Sequence, residues 1–483
     1  MRFYFWLSFL ICPLFVLAQK APDPYGPLPA RQQLTWHHTE LYGLIHFTPT
    51  TFENKEWGYG DADPQLFNPT AFDAEQIIRA AKAGGLKGII LVAKHHDGFA
   101  LWPTKTTDYN ISKSPFRGGK GDMVKEIEQA ARKNGLQFGV YCSPWDRNNA
   151  SYGTADYLAI YQAQLKELYS GYGELFMSWH DGANGGDGYY GGAREKRSID
   201  NTTYYDWKNT WRITRGMQPG ASIFSDIGPD VRWVGNENGE AADTSWATFT
   251  PLPPKGKNVA VPGQSNYPDS PKGMRDGQFW MPAECDVPLR GGWFFHPNEK
   301  PKTPEQLFNL YLKSVGRGAA LDLGLAPDTR GVLHEDDVAS LRAFGALLQH
   351  TFANNLAEKA LITASNNRGR RFDTTYLTDH KTESYWATAD NIREASILLQ
   401  FQTPVTFDII SLEEYIPLGQ RIDGYSVDLL QNGEWTKIAE GASIGAKRLI
   451  KLPQALSSTA VRVHLKGPVC LTLSELGLYL QSN

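Results

Sequence analysis

Cysteine is scarce in this 483-residue chain, which carries only Cys12, Cys142, Cys285 and Cys470. Cys12 falls in an N-terminal leader, and the other three allow at most one bridge, so disulfides do not organise the fold. No CxxC or Cys/His spacing marks structural zinc. An excess of one charge is missing too. Lys and Arg number 48 against 52 Asp and Glu, a net of -4, which gives no electropositive footprint for nucleic acid or anionic lipid. Partners are therefore expected to be neutral or small. After the leader no apolar run approaches the ~20 residues of a membrane span. No glycine-rich phosphate loop opens a helix, which weighs against a nucleotide-binding open sheet.

What is present is the composition of a folded protein: 41% hydrophobic residues, enough to bury sizeable cores. The 14 Trp and 22 Tyr side chains suit stacking on sugar rings as well as core filling. Residues 1–18 read as a secretory signal, with Arg2 as the positive region, an apolar run over 3–17 and the small-residue end Val16-Leu17-Ala18. Export to the periplasm or the medium is expected. Cys12 is followed by Pro13 and lacks a lipobox before it, so a lipid anchor is not.

From residue 41 to about 326, short β-type runs alternate with amphipathic helical ones, the pattern of βα units around a parallel sheet. Strands are expected at residues 42–47, 87–93, 138–141, 175–178, 222–224 and near 319–323, with helices at 72–83, 123–133, 157–169, 204–215, 305–315 and 336–350. Seven or eight units predict a (β/α)8-type barrel over 19–350, in the α/β class. Beyond about residue 361 the sequence alternates with period two, as at 395–401 and 460–465, which predicts an antiparallel β-sandwich over 351–483.

In such a barrel the chemistry sits where strands end. His46 ends the first strand, Lys94-His95-His96-Asp97-Gly98 the second, Tyr141-Cys142-Ser143-Pro144-Trp145 the third and Trp179-His180-Asp181-Gly182-Ala183 the fourth. The pairs His37-His38 and His95-His96 invite a metal reading. Adjacent side chains in extended backbone point to opposite faces, however, so no metal site is predicted and the histidines are read as neutral hydrogen-bond donors to substrate hydroxyls. Metal-free hydrolysis at a sugar carbon needs two carboxyls. Asp181 is the best-placed nucleophile. Asp226, Asp230, Glu237, Glu240 and Asp243, read as one long loop, are the candidates for the second, and spacing does not choose among them.

Taken together, Gly43-Leu44-Ile45-His46-Phe47, Glu56-Trp57-Gly58, Ala93-Lys94-His95-His96-Asp97-Gly98-Phe99, Trp179-His180-Asp181-Gly182-Ala183 and Arg232-Trp233-Val234-Gly235-Asn236-Glu237 resemble the retaining α-L-fucosidases of glycoside hydrolase family 29. The resemblance implies an exo-acting enzyme with Asp181 as nucleophile and Glu237 as acid/base. It also implies a fucose pocket of His46, Glu56, Trp57, His95, His96 and Tyr141. Trp179 and Trp233 are further sugar contacts, Trp280 is a candidate pocket wall, and Glu284 or Asp286 is a candidate aglycone contact. The Gly-Asn-Glu form is similar to the subgroup acting on α-1,3- and α-1,4-linked fucose, so fucosylated oligosaccharides or glycoproteins are the implied partners. His180 stands where many relatives carry phenylalanine. No cofactor is required; the C-terminal domain often holds calcium in such proteins, but no ligand loop here predicts it. In that domain Trp386, Tyr385 and Arg393 are candidate glycan contacts. The rival reading is a glycan-binding or scaffold protein on the same barrel, which has no need of a carboxyl pair.

Overall fold

Eight short, buried strands close into a parallel barrel in the computed structural model, which describes residues 20–481. They are β1 (Leu41–Ile45), β2 (Gly88–Lys94), β3 (Gln137–Cys142), β4 (Met177–Trp179), β5 (Ser222–Ser225), β6 (Val231–Trp233), β7 (Ala283–Pro288) and β8 (Ala320–Leu325). They follow one another round the barrel in chain order, and β8 pairs with β1 through Gly43 opposite Leu323. Helix α1 (Arg31–Thr39) precedes β1, while α2 (Ala74–Ala83), α3 (Met123–Lys133), α4 (Ala155–Gly171), α5 (Trp207–Met217), α6 (Pro304–Lys313) and α7 (Glu335–Phe352) pack outside. The leader and Cys12 lie outside the described residues.

Local chemistry explains these elements. Asp73 caps α2 by accepting from Gln76 N at 3.0 Å, and Asp122 caps α3 by accepting from Lys125 N at 3.0 Å. Each helix buries one apolar stripe, Ile77, Ile78 and Ala81 in α2 and Val124, Ile127 and Ala131 in α3, against the strands. Gly85 and Gly135 then take positive φ to end them.

Among the described residues, helices follow only six of the eight strands, which corrects the expected unit count. Five residues join β5 to β6, and Asp230 returns beside Ile223, bonding it twice through backbone and carboxylate. Between β6 and β7 runs a long insertion, residues 234–282, containing the hairpin Thr248–Phe249 with Phe279–Trp280. Buried Arg232 holds this insertion by donating to the carbonyls of Ser270, Met281 and Trp246.

The second domain is an antiparallel sheet: β9 (Leu361–Ala364), β10 (Glu394–Glu413), β11 (Gly424–Gln431), β12 (Glu434–Gly441), β13 (Arg448–Lys466) and β14 (Glu475–Tyr479). Alternate residues Ala395, Ile397, Leu399 and Phe401 face its core, which is separate from the barrel's. Register shifts after Gln400 and Phe407 mark bulges along β10. Trp386 lies within that core with its indole N–H on Asn367 Oδ1 at 2.7 Å, and Tyr385 stacks on Tyr415 at 3.9 Å. Neither ring is therefore available as the glycan contact expected of it.

The sheet domain meets the barrel at its amino-terminal end. Lys447 bridges Glu40, just before β1, and Glu413, while Leu449 N donates to Gly316 O just before β8. Its other anchors reach the insertion: Arg448 to Asp243 at 2.7 Å and Gln420 Oε1 to Ala247 N at 3.1 Å.

Candidate functional site

The carboxyl ends of β3 and β4 bring two polar side chains together. Asp181, two residues past β4, has both oxygens engaged: Oδ1 accepts from Ala183 N at 2.7 Å and Oδ2 from Tyr141 Oη at 2.9 Å. His96, just past β2, points Nε2 at the same carboxylate from 3.7 Å. Its other nitrogen, Nδ1, lies 2.7 Å from Ser143 Oγ, whose own hydrogen goes to Trp145 O at 2.7 Å. Ser143 therefore accepts from Nδ1–H, which leaves Nε2 with a lone pair on the side of Asp181. A neutral ring of this tautomer accepts from a hydroxyl. Burial pushes the His96 pKa down, against an opposing pull from Asp181.

His46 and His95 complete this wall, 5.4 Å apart edge to face, each with a buried Nδ1 that lacks a protein partner. Burial lowers His46 to about 3 and His95 well below the usual range, so both are neutral. Asp97 fixes the turn that carries these histidines by accepting from Thr48 at 2.7 Å and Thr50 at 3.0 Å. Beneath it, buried Lys94 pairs with Asp146 at 3.2 Å and donates to Tyr157 and Gln164.

Glu56 spends its oxygens on another loop, accepting from Trp293 N at 2.9 Å and from Phe294 N at 3.2 Å, with His296 Nε2 at 2.7 Å. Trp57 stands at the rim, 52% exposed, edge-on to His96 and Trp145. Trp179 stacks on Phe224 at 4.1 Å, and Trp233 meets Tyr267 edge to face.

Asp181, Trp179, Trp233, Asp226, Asp286 and Glu237 line one cavity of about 280 Å³. Glu237 is the exposed member of these six. Partial desolvation and the charges of Asp181 and Glu56 raise its pKa, against a lowering by a hydrogen bond from Trp293. Of the five second-carboxyl candidates, only Glu237 and Asp226 reach this cavity. Val231–Trp233 is a strand, not loop, so it carries Asp230 to the far end of the barrel, where Asp230 pairs with Arg215. Glu240 and Asp243 pair outward with Lys313 and Arg448. Asp226 is tied down by Gly263 N at 2.8 Å and Tyr267 Oη at 2.6 Å, and burial pushes it up to about 6.

Trp280 is not brought to the pocket. It precedes β7, at the barrel's amino-terminal end, where its indole donates to His37 Nε2 at 3.1 Å beside Ala247 and Ile416. Only the far part of β7 approaches the cavity. Residues 293–296, missed from sequence, follow β7 and cover His46 and His95. Their one legible signal was an aromatic cluster after Gly291-Gly292. Among the described residues no three His, Cys, Asp or Glu side chains gather as a metal site, and no helix is long and apolar enough to cross a membrane.

His180 turns away from the cavity into the helical layer, with Nδ1 2.9 Å from Tyr161 Oη and Nε2 3.1 Å from Ser178 Oγ. Burial lowers its pKa to about 3. Between about pH 3 and 6.5 an unfolded chain therefore binds a proton here that the folded chain does not, so the stability this ring contributes is full above 6.5 and is lost as pH falls. His180→Phe is expected to leave kcat/KM within about twofold. In denaturant unfolding, its stability relative to the unaltered chain should shift by about 2 kcal/mol in its favour from about pH 7.5 to about pH 5.

Comparison with known proteins places the chain in one family. The α-L-fucosidase family model matches residues 28–351. The chain is 38% identical over 490 aligned residues to α-L-fucosidase 1 of Arabidopsis thaliana, covering 99% of this chain and 93% of that protein. It is 39% identical over 437 residues to putative α-L-fucosidase 1 of rice, Oryza sativa subsp. japonica, covering 89% and 81%. Among solved structures, a putative α-L-fucosidase from Bacteroides thetaiotaomicron superposes with a TM-score of 0.86 at 33% identity, covering 96% of this chain and 99% of that one. A family 29 fucosidase from Ruminococcus gnavus in complex with fucose gives 0.86 at 30% identity, covering 96% and 97%.

Proposed function

The chain belongs to the α-L-fucosidase family of glycoside hydrolases, and on that premise we propose that it releases terminal α-L-fucose by double displacement with retention. Asp181 attacks the anomeric carbon, forming a glycosyl ester as the bond to the leaving oxygen breaks. Glu237 gives that oxygen its proton. Water then attacks the anomeric carbon and gives a proton to Glu237, as the bond from that carbon to Asp181 breaks and frees the carboxylate. The observation that carries this reading is the meeting of Asp181 and Glu237, from β4 and β6, at a single cavity. A binding protein has no use for such a pair, and the negative charge of Asp181 helps keep Glu237 protonated.

The sugar is read as held by neutral His46, His95 and His96, by Tyr141, and by the faces of Trp57, Trp179 and Trp233, with Glu56 ordering the loop above. The Gly235-Asn236-Glu237 form favours α-1,3- and α-1,4-linked fucose on branched oligosaccharides or glycoproteins. Residues 1–18 favour export, which N-terminal sequencing of the secreted chain tests by a start at residue 19.

A panel of α-1,2-, α-1,3-, α-1,4- and α-1,6-fucosylated oligosaccharides tests the reaction and the linkage together. Release is expected from the α-1,3 and α-1,4 members, with α-L-fucose as the first anomer seen by NMR. A β anomer would overturn retention, and preferential release from the α-1,2 or α-1,6 member would overturn the linkage assignment.

A further inference from the structure

Strand β7 buries carboxyl groups where a barrel interior is ordinarily apolar. Glu284 and Asp286, two residues apart, face the same way into the barrel, and Asp322 of β8 stands opposite Asp286 in register. Glu284 and Asp322 have no exposure and Asp286 4%. The proposed reaction uses none of them.

Their hydrogen bonds are specific. Glu284 Oε1 accepts the indole N–H of Trp179 at 2.7 Å, and Asp286 Oδ1 accepts that of Trp233 at 2.6 Å. The other oxygen of Glu284 accepts from the Tyr42 hydroxyl, which in turn accepts from Trp36 Nε1 at 2.9 Å. An indole offers one donor and no acceptor, and burying that donor unpaired is costly, so an oxygen beneath each ring selects one orientation of it. We propose that Glu284 and Asp286 are positioning residues: each pins, through one indole N–H, one of the two tryptophans that wall the cavity, and so sets how tightly the pyranose is gripped. This rests on reading that cavity as the fucose pocket.

Burial pushes both carboxyls towards their neutral forms. Asp322 has two oxygens without a protein partner, and three buried carboxyls so close together cannot all ionise. Burial and mutual repulsion hold Asp286 and Asp322 well above the usual carboxylate range, and burial pushes Glu284 up to about 7. An amide of the same shape keeps the bond at issue: its oxygen takes the indole N–H, and at Glu284 its NH2 replaces the oxygen that accepted from Tyr42, so the Tyr42 hydroxyl must turn its hydrogen away and accept instead.

Steady-state kinetics on the full chain test this, with the fluorobenzyl or nitrophenyl fucoside or oligosaccharide that the native protein hydrolyses best. Glu284→Leu and Asp286→Leu should raise KM about tenfold or more with kcat changed less than about threefold, while Glu284→Gln and Asp286→Asn stay within about threefold in both. Trp179→Phe and Trp233→Phe keep a ring but lose the donor, and should reproduce the KM of the matching leucine variant. The double variant of Glu284→Leu with Trp179→Phe should be no worse than either single one, because both remove one interaction. Unchanged KM in both leucine variants, amides as impaired as leucines, or additive losses in the double variant would each overturn the proposal. If a leucine variant does not fold, the phenylalanine and amide variants decide. Asp181→Asn measured alongside separates the two ideas, since residual turnover there removes the reaction assignment and leaves the KM comparison standing.

Discussion

Asparagine in place of Asp181 is expected to lower kcat/KM roughly ten-thousandfold or more, the scale seen when the attacking group of a covalent mechanism is lost. The substitution is nearly isosteric. Its amide oxygen can still accept from Tyr141 or from Ala183 N, the two donors that now pin the carboxylate, so the fold and the pocket should survive. What disappears is the negative oxygen that forms the ester. Circular dichroism and thermal unfolding should match the native chain while released fucose falls to background. Substantial turnover from a folded Asp181→Asn protein would remove Asp181 from the reaction.

Glu237→Gln makes a different forecast because the lost group carries a proton instead of bonding to carbon. Turnover of oligosaccharides should fall by about 10² to 10⁴, the usual contribution of a general acid. Aryl fucosides with good leaving groups should suffer less in the first step, and azide, which needs no base to attack the ester, should partly restore the second. The pH profile supplies the sign. Glu237 must be protonated to act first, and desolvation with the Asp181 and Glu56 charges raises its pKa. The alkaline limb of kcat/KM should therefore lie above the value of an ordinary glutamate, and the glutamine variant should lose that limb. An unaltered limb in Glu237→Gln would assign the proton to another group, and Asp226 and Asp286 are the other carboxyls besides Asp181 that line the same cavity.

Much of the barrel was legible because its first strands are uninterrupted apolar runs and its helices carry their own punctuation. β1, β2 and β3 fall within one or two residues of the expected positions, and α2 and α3 stop at the glycines that predict their ends. β6 escaped because three residues make no pattern, one of them being an arginine that faces out into the insertion. β7 escaped for a different reason: its inward positions are carboxyls, so no hydrophobic alternation marks it. That single omission explains both errors of placement around it. Trp280 was put at the pocket because nothing showed that a strand's length lay between them. Residues 293–296 were overlooked because no strand end was seen before them. Asp181, His46, His95 and His96 were legible as site candidates because each follows a strand that could be seen.

The two bare stretches of wall after β5 and β6 leave Glu237 without the helical buttress that Asp181 enjoys. Glu237 begins a long excursion whose stations, Asp243, Ala247 and Arg275, are moored to Arg448, Gln420 and Asp423 of the sheet domain. That domain meets the barrel at the end opposite the cavity, yet it tethers the arm that carries Glu237. Barrel and sheet thus form one mechanical frame, with Asp181 bolted to the first and Glu237 slung between them.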